Sequence, residues 1–138
     1  MIWYPLKAQH TQLIPFYSAQ VSAGFPSPAE PHLEQHLDLH THLVQRPGST
    51  FFTKALGESM TARGILDGAI LVVDKSLVAK DGDIVIAVLS GELTVKELKL
   101  SPPRLVPGNP EFPVIPIRQD SEFEIWGVVT AAINRYRR

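Results

Sequence analysis

From about residue 50 onward, turn-forming residues cut the chain into short pieces, and this spacing constrains its fold more than any other feature. Pro47-Gly48, Asp67-Gly68, Asp81-Gly82-Asp83, Ser90-Gly91 and Pro107-Gly108-Asn109-Pro110 recur along it. Gly frees the backbone and Pro fixes it, so each cluster ends whatever element precedes it. Between the clusters lie strand-like runs at 51–55, 69–73, 84–89, 93–100 and 123–133. None has a long 3.6-residue apolar period, and only 60–66 suits a short helical turn. The expected fold is mainly β, a single strongly bent antiparallel β-domain. A chain of 138 residues is long enough to close one such core.

The first 45 residues are different. Residues 1–23 contain one Lys and no acidic residue, with Trp3, Tyr4, Phe16 and Tyr17 suited to docking on an apolar surface. Residues 25–31 are Pro-rich and linker-like. The predicted organisation is a flexible N-terminal arm and linker over 1–31 and the β-domain over 32–138. Residues 37–43 alternate and predict a first strand with Leu37, Leu39 and Leu43 facing inward. Val21-Ser22-Ala23 before Gly24 has the small residues of a leader cleavage site. Polar residues from Gln9 to Gln20 interrupt the apolar run that a leader needs. The apolar stretch 69–73 is far too short to span a membrane.

Composition narrows the chemistry. A net charge of −1 argues against a strongly basic nucleic-acid binder and a polybasic membrane module. With no cysteine, disulfides, Cys-ligated zinc and thiol catalysis are excluded, and the chain suits a reducing cytosol. Four of the five histidines crowd into 32–42. On a strand, His36, Asp38, His40 and His42 would point one way. The His-Glu-x-x-His order is missing, so the expectation is a solvent face and no metal. Asp67, Asp74, Asp81 and Asp83 sit in predicted turns, where Asp supports its own backbone. No phosphate-binding glycine loop is present, and no cofactor is expected.

Gly57-Glu58-Ser59-Met60 is the remaining candidate. Gly57 permits a turn that places Ser59 at a bend, either as a helix N-cap or as a nucleophile. The Gly-x-Ser-x-Gly elbow is not completed, because Thr61 takes the last place. A Lys can act as base if it is neutral. On the predicted strand 93–100, Lys99 shares a face with Glu97, whereas Lys96 shares one with Thr94, Leu98 and Leu100. Lys96 is therefore better placed to be desolvated. Holding a free Lys neutral at pH 7 costs about 4.6 kcal/mol, and burial can remove about 3–5 pKa units of that barrier. Spacing alone leaves both the capping and the catalytic reading open.

Four blocks in order resemble the LexA/UmuD family of self-cleaving Ser–Lys peptidases. They are Gly57-Glu58-Ser59-Met60; Asp67-Gly68 with Ile70-Leu71-Val72-Val73-Asp74; Gly82-Asp83-Ile84-Val85-Ile86-Ala87; and Thr94-Val95-Lys96-Glu97-Leu98. Gly24-Phe25-Pro26-Ser27-Pro28-Ala29 is similar to the UmuD branch, and the likeness runs from about Val21 to the C-terminus. The resemblance implies that Ser59 is the nucleophile, Lys96 the general base and Ala23-Gly24 the self-cleaved bond. It also implies a homodimeric product that joins a UmuC-like Y-family DNA polymerase, cleavage stimulated by RecA filaments on single-stranded DNA, and a bacterial cytoplasmic setting. It implies no sequence-specific DNA binding by this chain. Two residues depart from the pattern: Ala23 where the UmuD branch has Cys, and Glu58 where Asp is usual.

Ala23 and Gly24 are small enough for a peptide carbonyl to approach a nucleophile to about 3–3.5 Å. The backbone N–H groups of Ser59 and Met60 are the expected oxyanion donors. Two rival readings remain: a peptidase that processes other proteins, and a non-enzymatic β-module that bridges partners.

Overall fold

A computed structural model of the chain describes residues 14–17, 21–26, 28 and 33–137. The chain divides into two compact units, Met1–His42 and Leu43–Arg138. In the first, β1 (Ile14–Tyr17) pairs antiparallel with β2 (Leu33–Leu37), Ile14 lying opposite Leu37. Ile14, Phe16 and Tyr17 of β1 are exposed. Trp3, Tyr4 and His32 lie outside the described residues.

The predicted strand over 37–43 is not formed. The strand stops at Leu37, and Leu39–Leu43 is a short helix, α1. Asp38 is the cause. Its carboxylate accepts from the Thr41 hydroxyl at 2.7 Å and the Thr41 N–H at 3.4 Å, while its carbonyl accepts the His42 N–H at 2.9 Å. That is the geometry of an N-cap, and it outweighs a Leu pattern that suits either period. His36 is therefore on β2 and His40 and His42 on α1, so the shared strand face of His36, Asp38, His40 and His42 does not exist.

The second unit is a seven-stranded, wholly antiparallel sheet. Its strands are β3 (Thr50–Lys54), β4 (Ile70–Asp74), β5 (Ile84–Leu89), β6 (Glu92–Leu100), β7 (Pro103–Val106), β8 (Ile115–Pro116) and β9 (Phe123–Ile133). Their order is β3-β4-β9-β5-β6-β7-β8. The long strand β9 forms the spine. Its C-terminal half pairs with β4 and its N-terminal half with β5, with a register irregularity in each pairing. Such bulges bend a strand and raise its twist, so one strand serves two differently oriented halves of the sheet. Gly127 sits at this crossing. A Cβ there would lie 2.6 Å from Val73 Cγ1, so only glycine lets β4 and β9 approach so closely.

Two apolar clusters hold the sheet. Met60, Ile65, Leu71, Val73 and Ile86 lead one, and Val85, Ala87, Leu98, Leu105 and Val128 the other. Ile86 serves the first cluster while its neighbours Val85 and Ala87 serve the second. The near-continuous apolar runs of β4 and β5 are thus strands covered on both faces. Strands β7 and β8 were not expected from sequence. Prolines obscure them, yet Pro103 opens its strand and Pro116 lies on the edge strand, both places where a missing N–H costs little. No helix among the described residues is long and apolar enough to cross a membrane.

Candidate active site

Ser59 follows β3 on a bend that three separate contacts fix. Gly57 has φ +88°, and its N–H donates to Asp67 Oδ1 at 2.7 Å. A left-handed φ of this kind is where glycine escapes the Cβ penalty. The Glu58 carbonyl accepts from Asn109 Nδ2 at 3.0 Å, and the Gly108 carbonyl accepts from the Ala62 N–H at 2.6 Å. Next to Ser59, the Met60 side chain is buried in the first core cluster. Asp67 therefore reaches across to another segment instead of only supporting its own turn. Asp81 does the same, accepting the Leu100 N–H at 2.7 Å.

The capping alternative for Ser59 is not what the fold shows. The short 3-10 turn Thr61–Arg63 has Met60 at its N-cap position and no side-chain cap. The Ser59 hydroxyl instead lies 3.1 Å from Lys96 Nζ.

Lys96 is on β6, opposite Val85 of β5, and is only 8% exposed. Its Nζ also lies 2.8 Å from Thr94 Oγ1 and 3.1 Å from the Val95 carbonyl. Thr94 and Lys96 point the same way because they are two apart on a strand. None of the ion pairs among the described residues includes Lys96. Burial without a counter-charge pushes its amine below the ordinary lysine range. A neutral amine has two N–H donors and one lone pair. With Thr94 Oγ1 and the Val95 carbonyl taking the donors, the lone pair is left for the Ser59 O–H. Lys99, by contrast, lies 3.0 Å from Glu97 Oε2.

Ser59 and Lys96 open onto a cleft of about 270 Å³, walled by Ala55, Leu56, Leu71, Ile86, Leu93 and Val95 among others. Its walls are mainly apolar, which suits a peptide segment and keeps the amine poorly hydrated. The N–H groups of Ser59 and Met60 make no backbone hydrogen bond among the described residues.

Ala23 and Gly24 belong to the first unit, in the segment between β1 and β2. Both are exposed, nothing stands within 4 Å of where a Gly24 Cβ would be, and the Gly24 N–H lies 3.3 Å from Ser22 Oγ. Among the described residues, no three His, Asp or Glu side chains gather as metal ligands. Sequence reasoning did not assign Thr94 a role beyond its shared face, and it missed Gly108 and Asn109 as supports of the Ser59 bend. Thr94 was accessible from its two-residue spacing to Lys96, whereas the long-range contacts of the 108–109 loop had no local signal.

The Peptidase S24-like family model matches residues 15–130. Protein MucA of Salmonella typhimurium is 48% identical over 128 residues, covering 91% of this chain and 88% of that protein. Protein ImpA of Escherichia coli is 45% identical over 126 residues, covering 89% of this chain and 85% of its own. The LexA repressor of Bordetella avium is 35% identical over 134 residues, covering 96% of this chain but 62% of the repressor. The chain belongs to the Peptidase S24-like family of serine peptidases, among its UmuD-type SOS mutagenesis proteins.

Proposed function

We propose that this protein cleaves its own Ala23–Gly24 bond, with Ser59 as nucleophile and Lys96 as general base. The observation that carries the reading is the 3.1 Å separation of Ser59 Oγ from a buried Lys96 Nζ that has no carboxylate partner among the described residues. Neutral Lys96 takes the hydroxyl proton as Ser59 Oγ bonds to the Ala23 carbonyl carbon. The oxyanion is stabilised by the N–H groups of Ser59 and Met60. As the C–N bond breaks, Lys96 passes the proton to the Gly24 nitrogen, leaving Ala23 esterified to Ser59. Lys96 then removes a proton from water, which attacks the ester carbon; as the ester C–O bond breaks, Lys96 returns that proton to Ser59 Oγ, releasing residues 1–23 and restoring Ser59 and neutral Lys96.

In this reading the reaction occurs in the bacterial cytoplasm and is stimulated by RecA filaments on single-stranded DNA. The fragment from Gly24 onward acts as a homodimer and joins a UmuC-like Y-family polymerase in translesion synthesis. Support comes from the resemblance to the UmuD branch and from the similarity to MucA and ImpA along most of the chain.

Incubation with RecA, single-stranded DNA and a nucleotide analogue, followed by mass spectrometry, tests the reading. A fragment beginning at Gly24 is expected from the wild-type chain and none from Ser59→Ala or Lys96→Ala. Cleavage by either variant at the wild-type rate would falsify the dyad. An unchanged mass for the wild-type chain would favour a bridging module.

A further inference from the structure

We infer that Arg63 and Glu97 form a clamp that sets the approach of Ser59 to Lys96, and that both are positioning residues for the reaction proposed above, on which this inference rests. Glu97 follows Lys96 directly on β6, and Arg63 closes the 3-10 turn just beyond Ser59. Arg63 Nη1 donates to Glu97 Oε1 across 34 residues of chain, and Lys96 meets Ser59 across 37. The two contacts are adjacent rungs joining the same two segments. The outer rung adds a polar tie to the apolar packing that Met60 and Val95 share in the first core cluster.

The clamp is held from both ends. Glu97 Oε2 lies 3.0 Å from Lys99 Nζ, which lies 4.0 Å from Asp81 Oδ2, and the Glu97 side chain is only 14% exposed. Glu97 is shielded while Arg63 and Lys99 are 38% and 35% exposed, so solvent and salt screen the pair in part. The loop after β7 presses on the Arg63 stem: a Cβ on Gly108 would lie 2.8 Å from Arg63 Cγ and 3.1 Å from Met60 Cα. Arg63 is therefore confined between Gly108 and Glu97, and it carries the Ser59 bend with it. Glu97 and Lys96 are consecutive on β6 and point to opposite faces, so the Glu97 carboxylate is no counter-ion to Lys96. Among the described residues, Lys54 also lines the cleft, and Glu58 precedes Ser59 in the chain.

The test uses Arg63→Gln, Glu97→Gln and the exchanged pair Arg63→Glu with Glu97→Arg, all in the full chain. Two quantities are measured: the self-cleavage rate, and the Lys96 titration midpoint by NMR of ¹³C-lysine protein carrying Ser59→Ala to prevent cutting. Each single variant is expected to slow cleavage about 10- to 100-fold, the scale of a reacting group displaced by about 1 Å. Each is also expected to raise the Lys96 midpoint, because water enters as the turn lifts. The exchanged pair should recover most of both effects.

Direct charge effects give a different pattern. Loss of the Arg63 cation alone would raise the midpoint, and loss of the Glu97 anion alone would lower it. Midpoints that move in opposite directions, or not at all, overturn the clamp. So does an exchanged pair as slow as the single variants. If wild-type chain never cuts itself while both midpoints rise and the exchange restores them, the clamp stands and the cleavage reading fails.

Discussion

Among the described residues, two charged side chains are buried, Asp74 and Lys96, and their surroundings differ in kind. Asp74, at the end of β4, receives hydrogen bonds from the Ser76 N–H and hydroxyl, the Ser49 hydroxyl and the Arg46 guanidinium. These partners, Ser76 foremost, hold its carboxyl at about 2 against an ordinary 3.8. Lys96 has a hydroxyl and a carbonyl beside it, and its only large influence is desolvation. Burial with partners keeps a charge and stabilises the fold. Burial without a counter-charge lowers the cost of losing the charge and so favours a free lone pair.

The sharpest way to break this comparison is to neutralise each group separately. Lys96→Met is expected to reduce self-cleavage by at least about 100-fold, the lower end of what a general base contributes. Asp74→Asn is expected to leave the rate of the folded protein unchanged and to lower its unfolding midpoint. Mass spectrometry of the Gly24 fragment and thermal unfolding of the same samples measure both. A slow Asp74→Asn protein of normal stability would erase the distinction.

The pH dependence sharpens the contrast. The proposed mechanism requires neutral Lys96, so the cleavage rate should rise with pH and level off below about 10.4, the ordinary lysine value. A rate with no rising limb at any pH up to about 10 at which the fold is intact would remove Lys96 as the titrating base. For stability the signs follow from proton binding. The folded pKa of Asp74 is depressed, so its contribution is complete above about pH 4 and is lost as the pH falls through about 2. The Asp74→Asn protein should lack that acid transition. The folded pKa of Lys96 is also depressed, so between its folded and unfolded values the unfolded chain holds more protons and stability rises with pH. Lys96→Met should flatten that alkaline rise in denaturant titrations.

A smaller effect is expected at Thr94. Thr94→Val keeps the shape and removes one acceptor from Nζ. A net hydrogen bond is worth about 1 kcal/mol, so initial cleavage rates should fall about 5-fold. A Thr94→Val rate equal to wild type would mean that the Val95 carbonyl and the cleft walls alone orient the amine.

Much of the second unit was legible. The runs at 84–89 and 123–133 match β5 and β9, and those at 51–55, 69–73 and 93–100 differ from β3, β4 and β6 by a residue at one or both ends. Buried strands carry continuous β-branched residues, and their ends coincide with Gly and Asp turns, so the signal is local. Alternation on β6 also separated Lys96 from Lys99 correctly, since side-chain direction on a strand follows from position alone. The reading failed where one pattern fits two structures. At 37–43 the leucines suited strand and helix alike, and the cap at Asp38 decided between them. At 103–106 and 115–116 proline concealed edge pairing.

Taken alone, the amino-acid order determined the strands, their turns and a small set of polar residues capable of peptide chemistry, because those properties depend on neighbours in the chain. Only the tertiary structure decided that Ser59 meets Lys96, that Thr94 and the Val95 carbonyl orient the amine, and that Arg63 closes on Glu97 beside them. The Ser59–Lys96 and Arg63–Glu97 contacts join segments far apart in the chain. Their distances are set by how the sheet bends and what it excludes from water, and neither quantity is written in local sequence.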